Sequence, residues 1–262
     1  METRLITLTT DFGHKDPFVG IMKGVIFGIH PQARIVDLTH GVAPQDIRGA
    51  ALALAHAAPY FPPATVHVAV VDPGVGTERR PVLIEAEGNF FVGPDNGVLA
   101  LAVEGKKIER VIELKNESYQ LKPRSATFHG RDVFAPAAAY LSLGVPAAGF
   151  GPALENHARL QWPEVVQTEG EVRGEIIYID NFGNLITNVR ERDLESLPRE
   201  RLTVTLADLT IRGLAKSYAG AAPDDYAALI DSWGLLEIAC CNGRADRRSG
   251  ADIGDPVHIR AA

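Results

Sequence analysis

From the start of the chain to about Leu143, short runs of β-branched and aliphatic residues alternate with longer stretches in which apolar residues recur every three or four positions. The short runs at 5–9, 34–38, 65–71, 82–86 and 89–92 predict strands, the last two joined across Glu87 and Gly88. Phe18, Val19, Ile21, Met22, Val25, Ile26 and Ile29 recur at helical spacing, with Pro17 suited to a first helical position and Pro31 to a stop. The Ala- and Leu-rich stretch 47–58, which ends before Pro59, and the stretch 132–143 predict two further helices. Strand and helix taking turns is the order that builds an α/β domain, with a mainly parallel sheet covered on both faces.

Between Val145 and about Thr168 the periodicity dissolves into Pro, Gly and mixed polar residues, the composition of a linker. Beyond it, strand-like runs at 171–180, 184–188, 201–207, 210–214, 227–231, 235–239 and 256–260 follow one another without long helices. That density predicts a smaller all-β domain, a barrel or sandwich. The expected division is therefore an N-terminal α/β domain over 1–160 and a C-terminal β-rich domain over 161–262.

Composition narrows the partners. The chain has 262 residues, 46% of them hydrophobic, enough to bury two unequal cores. A formal net charge of −7 without clustered Lys and Arg gives no attraction to phosphate backbones or anionic lipid, so neither nucleic acid nor a membrane surface is expected. No apolar stretch approaches the roughly 18 residues that a membrane span needs. The two cysteines, Cys240 and Cys241, are neighbours and poorly placed for an intrachain disulfide. With no apolar leader pattern at the start, a cytoplasmic location is expected.

In open α/β sheets ligands bind beyond the carboxyl ends of strands, so polar residues that directly follow apolar runs draw attention. Asp11, in Thr10-Asp11-Phe12-Gly13, could accept hydrogen bonds from ribose hydroxyls or merely cap the next helix. Asp72 to Arg80 follows the most hydrophobic run; its glycines allow close backbone approach, and Asp72 and Arg79 could form a charge-assisted pair or only a surface ion pair. His129, in Phe128-His129-Gly130-Arg131-Asp132, is a candidate proton acceptor or water partner, although a lone histidine is more often structural. In the second half, Asn184 offers the donor and acceptor that an adenine edge requires, while a hairpin turn would use the same Asp180 to Asn184 segment. Ser232-Trp233-Gly234 followed by Glu237 is similarly open to either reading.

Taken together, TDFG at 10–13, DPGVGTERR at 72–80, GPDNG at 93–97, FHGRD at 128–132, DNFGNLITN at 180–188 and SWGLLEIA at 232–239 resemble the SAM hydroxide adenosyltransferases, relatives of the SAM-dependent fluorinase and chlorinase. The resemblance spans essentially the whole chain. It implies hydrolysis of S-adenosyl-L-methionine (SAM) to adenosine and L-methionine by in-line attack of an activated water on ribose C5′. It assigns Asp72, Arg79 and His129 to the water, Asp11 to the ribose and Asn184 to adenine, with Asn188 in reserve. Asp180, Ser232 and Glu237 then meet the methionine end, and Trp233 packs against ligand or core. It also implies a homotrimer whose active sites each lie between the N-terminal domain of one subunit and the C-terminal domain of its neighbour.

The sulfonium is already a good leaving group, so the expected chemistry is positioning and tuning of water, with Arg79 favouring its hydroxide-like form and Asp72 and His129 orienting it and helping to accept its proton. No cofactor or metal is expected. A chloride-using adenosyltransferase is the nearest rival; the family's halogenating members carry a tyrosine where Asp72 stands and a threonine where Val75 stands. A metal-dependent phosphoesterase built on Asp11, Asp72 and His129 lacks a compact metal motif. A non-catalytic SAM or adenosine sensor would bind ligand without turnover.

Overall fold

The computed structural model describes residues 4–198, 201–220, 222 and 224–261. Contacts divide the chain into two units, one ending at Leu160 and the other beginning at Gln161.

The first unit runs β1 (Leu5–Thr10), α1 (Phe18–Ile29), β2 (Arg34–Thr39), α2 (Ile47–Ala57), β3 (Val66–Val70), β4 (Pro81–Ala86), β5 (Asn89–Pro94), α3 (Ala100–Val103), β6 (Ile108–Glu113) and α4 (Ala135–Ser142). Its six-stranded sheet has the order β2-β1-β3-β5-β4-β6. β2, β1, β3 and β5 pair in parallel, and β4 runs antiparallel to both β5 and β6. Alternation along the strands sends side chains to two cores. Val66, Val68 and Val70 of β3 join Ile6, Met22, Ile26 and the residues of α4 on one face. Ala69 and the following Val71 join Leu54, Ile84, Phe91 and Ala102 on the other. The sheet is thus mixed but mostly parallel, with helices on both faces.

Sequence rhythm located the strands of the sheet's centre but missed β6, because Glu109 and Arg110 are exposed on this edge strand and break the apolar run. The turn between β4 and β5 uses Glu87 (φ 47°) and Gly88 (φ 75°), the paired positive angles that match the twist of a two-residue hairpin. Pro17 sits one position ahead of α1, as its cap, and α1 ends at Ile29 before Pro31. The helix expected over 132–143 starts as a π-helical turn, Gly130–Phe134, that runs into α4. Much of the expected linker packs onto this unit: Ala147 and Phe150 are buried in its core, and the Leu154 amide donates to the Val111 carbonyl (2.8 Å).

The second unit contains β7 (Val166–Thr168), β8 (Glu171–Ile179), β9 (Leu185–Arg190), β10 (Leu202–Leu206), β11 (Leu209–Arg212), β12 (Tyr226–Ile230), β13 (Leu235–Cys240), α5 (Ala245–Ser249) and β14 (Pro256–Ala261). The order is β11-β10-β14-β8-β9-β13-β12, with β7 also on β8, and the pairings are antiparallel. β8 pairs with β14 through Glu171 to Glu175 and with β9 through Ile176 to Ile179, so one long strand turns the corner between two halves of the sheet. Beyond β11, the Ala215 amide donates to Ala228 of β12 (2.7 Å), bringing the two ends of the sheet close to barrel closure. Val172, Ile176, Leu185, Val204, Ile238 and Ile259 fill the interior.

Candidate active site

β1 and β3 lie side by side at the place where the chain order reverses: β1 leads through α1 to β2 on one side, and β3 returns to the other. Their register pairs Thr10 with Val70, so the residues just beyond both strands emerge at one edge. Such a switch point leaves a crevice at the strands' carboxyl ends. A cleft of about 440 Å³ occupies it, lined by Asp11 and Phe12 after β1, Asp72, Pro73 and Val75 after β3, and Thr127 to Gly130 ahead of the π-helical turn. Three loops singled out in the sequence therefore meet in one cavity.

The loop after β3 is held tightly. The Val75 amide donates to the Asp72 carbonyl (3.2 Å), and the Thr77 hydroxyl donates to the Gly74 carbonyl (2.7 Å). Gly76 has φ +78°, and a Cβ there would lie 2.4 Å from the Ala126 carbonyl oxygen, so no side chain fits where this loop crosses the His129 loop. The tight turn swings Arg79 back onto Asp72. Arg79 Nε donates to Asp72 Oδ1 (2.8 Å), Nη2 donates to Oδ2, and the two side chains are only 9% and 6% exposed. This is a buried, forked ion pair, not a surface one.

Arg79 Nη2 also faces His129 Nδ1 at 2.7 Å, completing an Asp72–Arg79–His129 chain. The guanidinium carbon stands 5.4 Å from the centre of the Phe134 ring, which fixes its plane from behind. Arg79 Nη1 is buried and has no hydrogen-bond partner, which leaves a spare cationic donor beside Asp72 and His129. His129 is buried, and Arg124 approaches its other face, with Nε donating to Nε2 at 3.1 Å. Burial first, then the charges of Arg124 and Arg79, lower the His129 pKa to about 4, against the opposing pull of Asp72 and Asp132. The ring is neutral near pH 7. Asp132 is itself buried: burial works to raise its pKa, but Arg131 and the Ser125 amide prevail and hold it below the usual carboxylate value.

At the other wall, Asp11 accepts the Gln45 amide at Oδ2 (2.8 Å), which leaves the rest of its carboxylate for a ligand. Behind it, Thr10 Oγ1 contacts His40 Nδ1 (2.9 Å) and accepts the Phe12 amide (3.2 Å), anchoring the turn.

In the second unit, Asp180 organises the β8–β9 turn. Its Oδ1 accepts the amides of Phe182 and Asn184 (both 2.8 Å), and its Oδ2 accepts from Asn184 Nδ2 (3.0 Å). The segment is a turn between two antiparallel strands, and within it the Asn184 side chain is held against Asp180. Asn188 is only 1% exposed; it accepts the Glu175 amide and donates to the Pro163 carbonyl, so it braces backbone and has no face for a base. Asp231 performs for the β12–β13 turn what Asp180 does for β8–β9, accepting the amides of Trp233 and Leu235 (2.8 and 2.9 Å). Ser232 is exposed in that turn, and Trp233 lies 5.9 Å from the Tyr178 ring. Glu237 is 3% exposed, with Oε1 unpartnered. Burial chiefly pushes its pKa up to about 7; a hydrogen bond with Tyr218 opposes this, and the charges of Asp231 and Asp180 add to it. Arg124, Tyr218 and Asp231 went unnoticed in the sequence: Arg124 stands in a loop and Tyr218 in a single 3-10 turn, both without periodic pattern, whereas the Asp-Ser-Trp-Gly turn did offer Asp231 as a signal. Among the described residues, no group of three or more His, Cys, Asp or Glu side chains is arranged to hold a metal ion, and no helix is long and apolar enough to cross a membrane.

Comparison with known proteins gives a consistent picture. The model of the SAM hydroxide adenosyltransferase N-terminal domain matches residues 6–151, and that of the C-terminal domain matches 174–258. An (R)-S-adenosyl-L-methionine hydrolase of Salinispora arenicola is 41% identical, over 99% of this chain and 98% of its own. A fluorinase of Nocardia brasiliensis is 25% identical over 98% of this chain and 94% of its own. The crystal structure of an uncharacterized conserved protein from Thermotoga maritima superposes with a TM-score of 0.91 at 35% identity, covering 98% of this chain and all of that one.

Proposed function

The chain belongs to the SAM hydroxide adenosyltransferase family, and from that premise we infer that it hydrolyses SAM to adenosine and L-methionine by delivering a water oxygen to ribose C5′. The observation that carries this reading is that Asp72 and His129, which line the switch-point cleft, are linked through Arg79, in a protein 41% identical over 99% of its length to a named hydrolase.

The chemistry follows from the groups present. Water attacks C5′, the C5′–S bond breaks with its electron pair going to sulfur, and methionine leaves as a neutral thioether. Nothing has to protonate the leaving group, so the task is to hold one oxygen in line and take up its proton. The spare Nη1 donor of Arg79 supplies the charge that favours a hydroxide-like oxygen, and Asp72 is the carboxylate at hand for the proton. His129 serves as a neutral partner for Arg79; with a pKa of about 4 and guanidinium groups on both ring nitrogens it is poorly suited to storing the proton.

Substrate recognition divides between the units. Asp11 takes the ribose hydroxyls, and Asn184 takes the adenine edge. Asp180, Ser232 and Glu237 receive the methionine end, where carboxylates suit an ammonium. A homotrimer, with each site completed by the C-terminal domain of a neighbouring subunit, would bring the two sets together. A cytoplasmic location fits a substrate made and used inside cells.

The test is to incubate the purified, metal-chelated protein with SAM and to quantify adenosine and methionine. Equimolar products support the reading, and Asp72→Ala, Arg79→Ala or His129→Ala should lower turnover more than adenosine affinity. Unchanged turnover in all three variants would remove these side chains from the reaction; tight SAM binding without products would make the protein a sensor.

A further inference from the structure

None of the residues Gly93 to Gly97, the GPDNG segment, lines the switch-point cleft. Sheet order nevertheless ties the segment to the loop that carries Asp72 and Arg79. β5 lies between β3 and β4, so the chain that leaves β3 at Val70 has to cross the end of β5 before it enters β4 at Pro81. β3 runs parallel to β5, and β4 runs antiparallel with Pro81 opposite Pro94, which brings the end of β3, the end of β5 and the start of β4 to one edge. Asp95 and Asn96 are the first two residues beyond β5, at the place where the loop crosses.

Each of the two holds one stem of that loop. Asn96 Nδ2 donates to the Val71 carbonyl (2.9 Å), in the peptide that leads into Asp72, while its Oδ1 accepts the Val98 amide (3.1 Å) and so fixes which way the side-chain amide points. At the other stem the Asp95 amide donates to the Arg80 carbonyl (2.9 Å), and Asp95 Oδ2 accepts from Arg80 Nε (2.8 Å) and Nη2. Asp95 Oδ1 accepts the Ala158 amide (2.6 Å), and its side chain is only 5% exposed. A Cβ on Gly93 would lie 2.5 Å from the Ala69 carbonyl oxygen, so the ends of β5 and β3 approach this closely only with glycine there. Both stems are therefore pinned one residue outside the reacting pair: Val71 before Asp72, and Arg80 after Arg79.

We propose that Asn96 and Asp95 are positioning residues for SAM hydrolysis: they clamp the two stems of the loop and so set where Asp72 and Arg79 stand relative to the reacting oxygen. This rests on the hydrolase reading of the same site. The bonds inside the loop, from the Val75 amide to Asp72 and from the Thr77 hydroxyl to Gly74, shape the turn, whereas the clamp fixes it to the sheet. Displacing reacting groups by about 1 Å can cost about a hundredfold in rate with the groups themselves unchanged. Asn96→Asp isolates the contact at the first stem, because it keeps the size of the side chain and an oxygen for the Val98 amide but turns an acceptor towards the Val71 carbonyl. Asp95→Asn does the same at the second stem, removing the charge that Arg80 meets while leaving an oxygen for the Ala158 amide.

The experiment compares the full-length parent, Asn96→Asp, Asp95→Asn and Asn89→Ala. Asn89 accepts the Thr65 amide (3.2 Å) at the opposite end of β5, so its removal loosens the same strand away from the loop. Steady-state kinetics with SAM, adenosine affinity by calorimetry, and hydrogen exchange of the 72–80 peptide by mass spectrometry are measured on each. In Asn96→Asp and Asp95→Asn, kcat falls about 10–10²-fold, KM and adenosine affinity stay within about threefold, and the 72–80 amides exchange about tenfold faster. Asn89→Ala keeps the parent kcat and the parent exchange in that peptide. A parent-like kcat in both clamp variants overturns the proposal, as does unchanged exchange of the loop, or an equal loss of kcat in Asn89→Ala. Asp95→Asn decides the matter should Asn96→Asp not fold. Should the parent not hydrolyse SAM at all, the hydrolase reading fails, and the exchange data still decide separately whether Asp95 and Asn96 hold the loop.

Discussion

Arg79→Lys keeps the positive charge and removes the fork, and it separates charge from geometry at the centre of the site. Arg79 spends Nε and Nη2 on the two oxygens of Asp72, shares Nη2 with His129 and retains Nη1 as a buried donor. A lysine ammonium can reach Asp72, but a single nitrogen cannot occupy those positions together, nor can it lie flat against Phe134. The loss of one charge-assisted hydrogen bond with the pair still matched should cost the first unit about 2 kcal/mol. If Nη1 is the donor that meets the reacting oxygen, its removal should lower kcat by about 10²–10³-fold, the usual effect of deleting one preorganised donor. KM should change little, because the adenosine and methionine groups are assigned to other residues. The assay is steady-state adenosine formation by liquid chromatography at pH 8, with thermal unfolding to establish that the variant is folded and calorimetry to measure adenosine affinity. A folded Arg79→Lys protein with kcat within threefold of the parent, or with its loss confined to KM, would refute the assignment of Arg79 to the transition state.

Other consequences are open to the same treatment. His67 and His129 are buried with pKa values of about 4, so between pH 6.5 and 4 the unfolded chain binds protons that the native state refuses. Stability of the first unit should therefore fall on acidification through that window, by up to about 2.7 kcal/mol per pH unit for the two rings, as read by urea titrations at several pH values; a flat profile would contradict it. Glu237 has the opposite sign: its pKa is raised to about 7, so its neutral form supports the second unit at low pH, and that support is lost as pH rises from 4.5 through 7. Glu237→Gln should then match the parent near pH 5 and exceed it at pH 8, by at most about 3 kcal/mol, in denaturant melts. Gly76→Ala forces a Cβ against the Ala126 carbonyl at a positive φ, so it should cost about 1–3 kcal/mol and lower kcat by displacing the Asp72 loop, whereas Gly88→Ala, with open space around it, should spare activity.

How far the sequence alone reached can be judged from particular residues. Val66 to Val71 is apolar on both faces apart from the buried His67, because β3 is sandwiched between two helical layers, and that run made it the plainest strand in the chain. Asp11, Asp72 and His129 were legible because each follows or precedes such an element, where side chains at strand ends converge. The edge strand β6 was hidden by its exposed charges, and the short β7 by its wholly exposed residues. The π-helical start of α4 has no periodic signature, since it inserts one residue into an otherwise ordinary helical pattern. Arg124 and Tyr218 were invisible for a different reason: each meets its partner, His129 or Glu237, through a side-chain contact that depends on the path of the backbone between them and leaves no periodic trace. Asn188 misled in the reverse direction, because a polar residue inside an apolar strand can signal a ligand or, as here, a brace for neighbouring backbone.

The central claim is that a water oxygen is delivered directly to C5′ of SAM. Turnover of the metal-chelated protein in ¹⁸O-labelled water containing chloride, followed by mass spectrometry of the nucleoside, tests it in one step. Adenosine carrying ¹⁸O at its 5′ position is the predicted product; 5′-chloroadenosine, or adenosine without the label, would contradict the account.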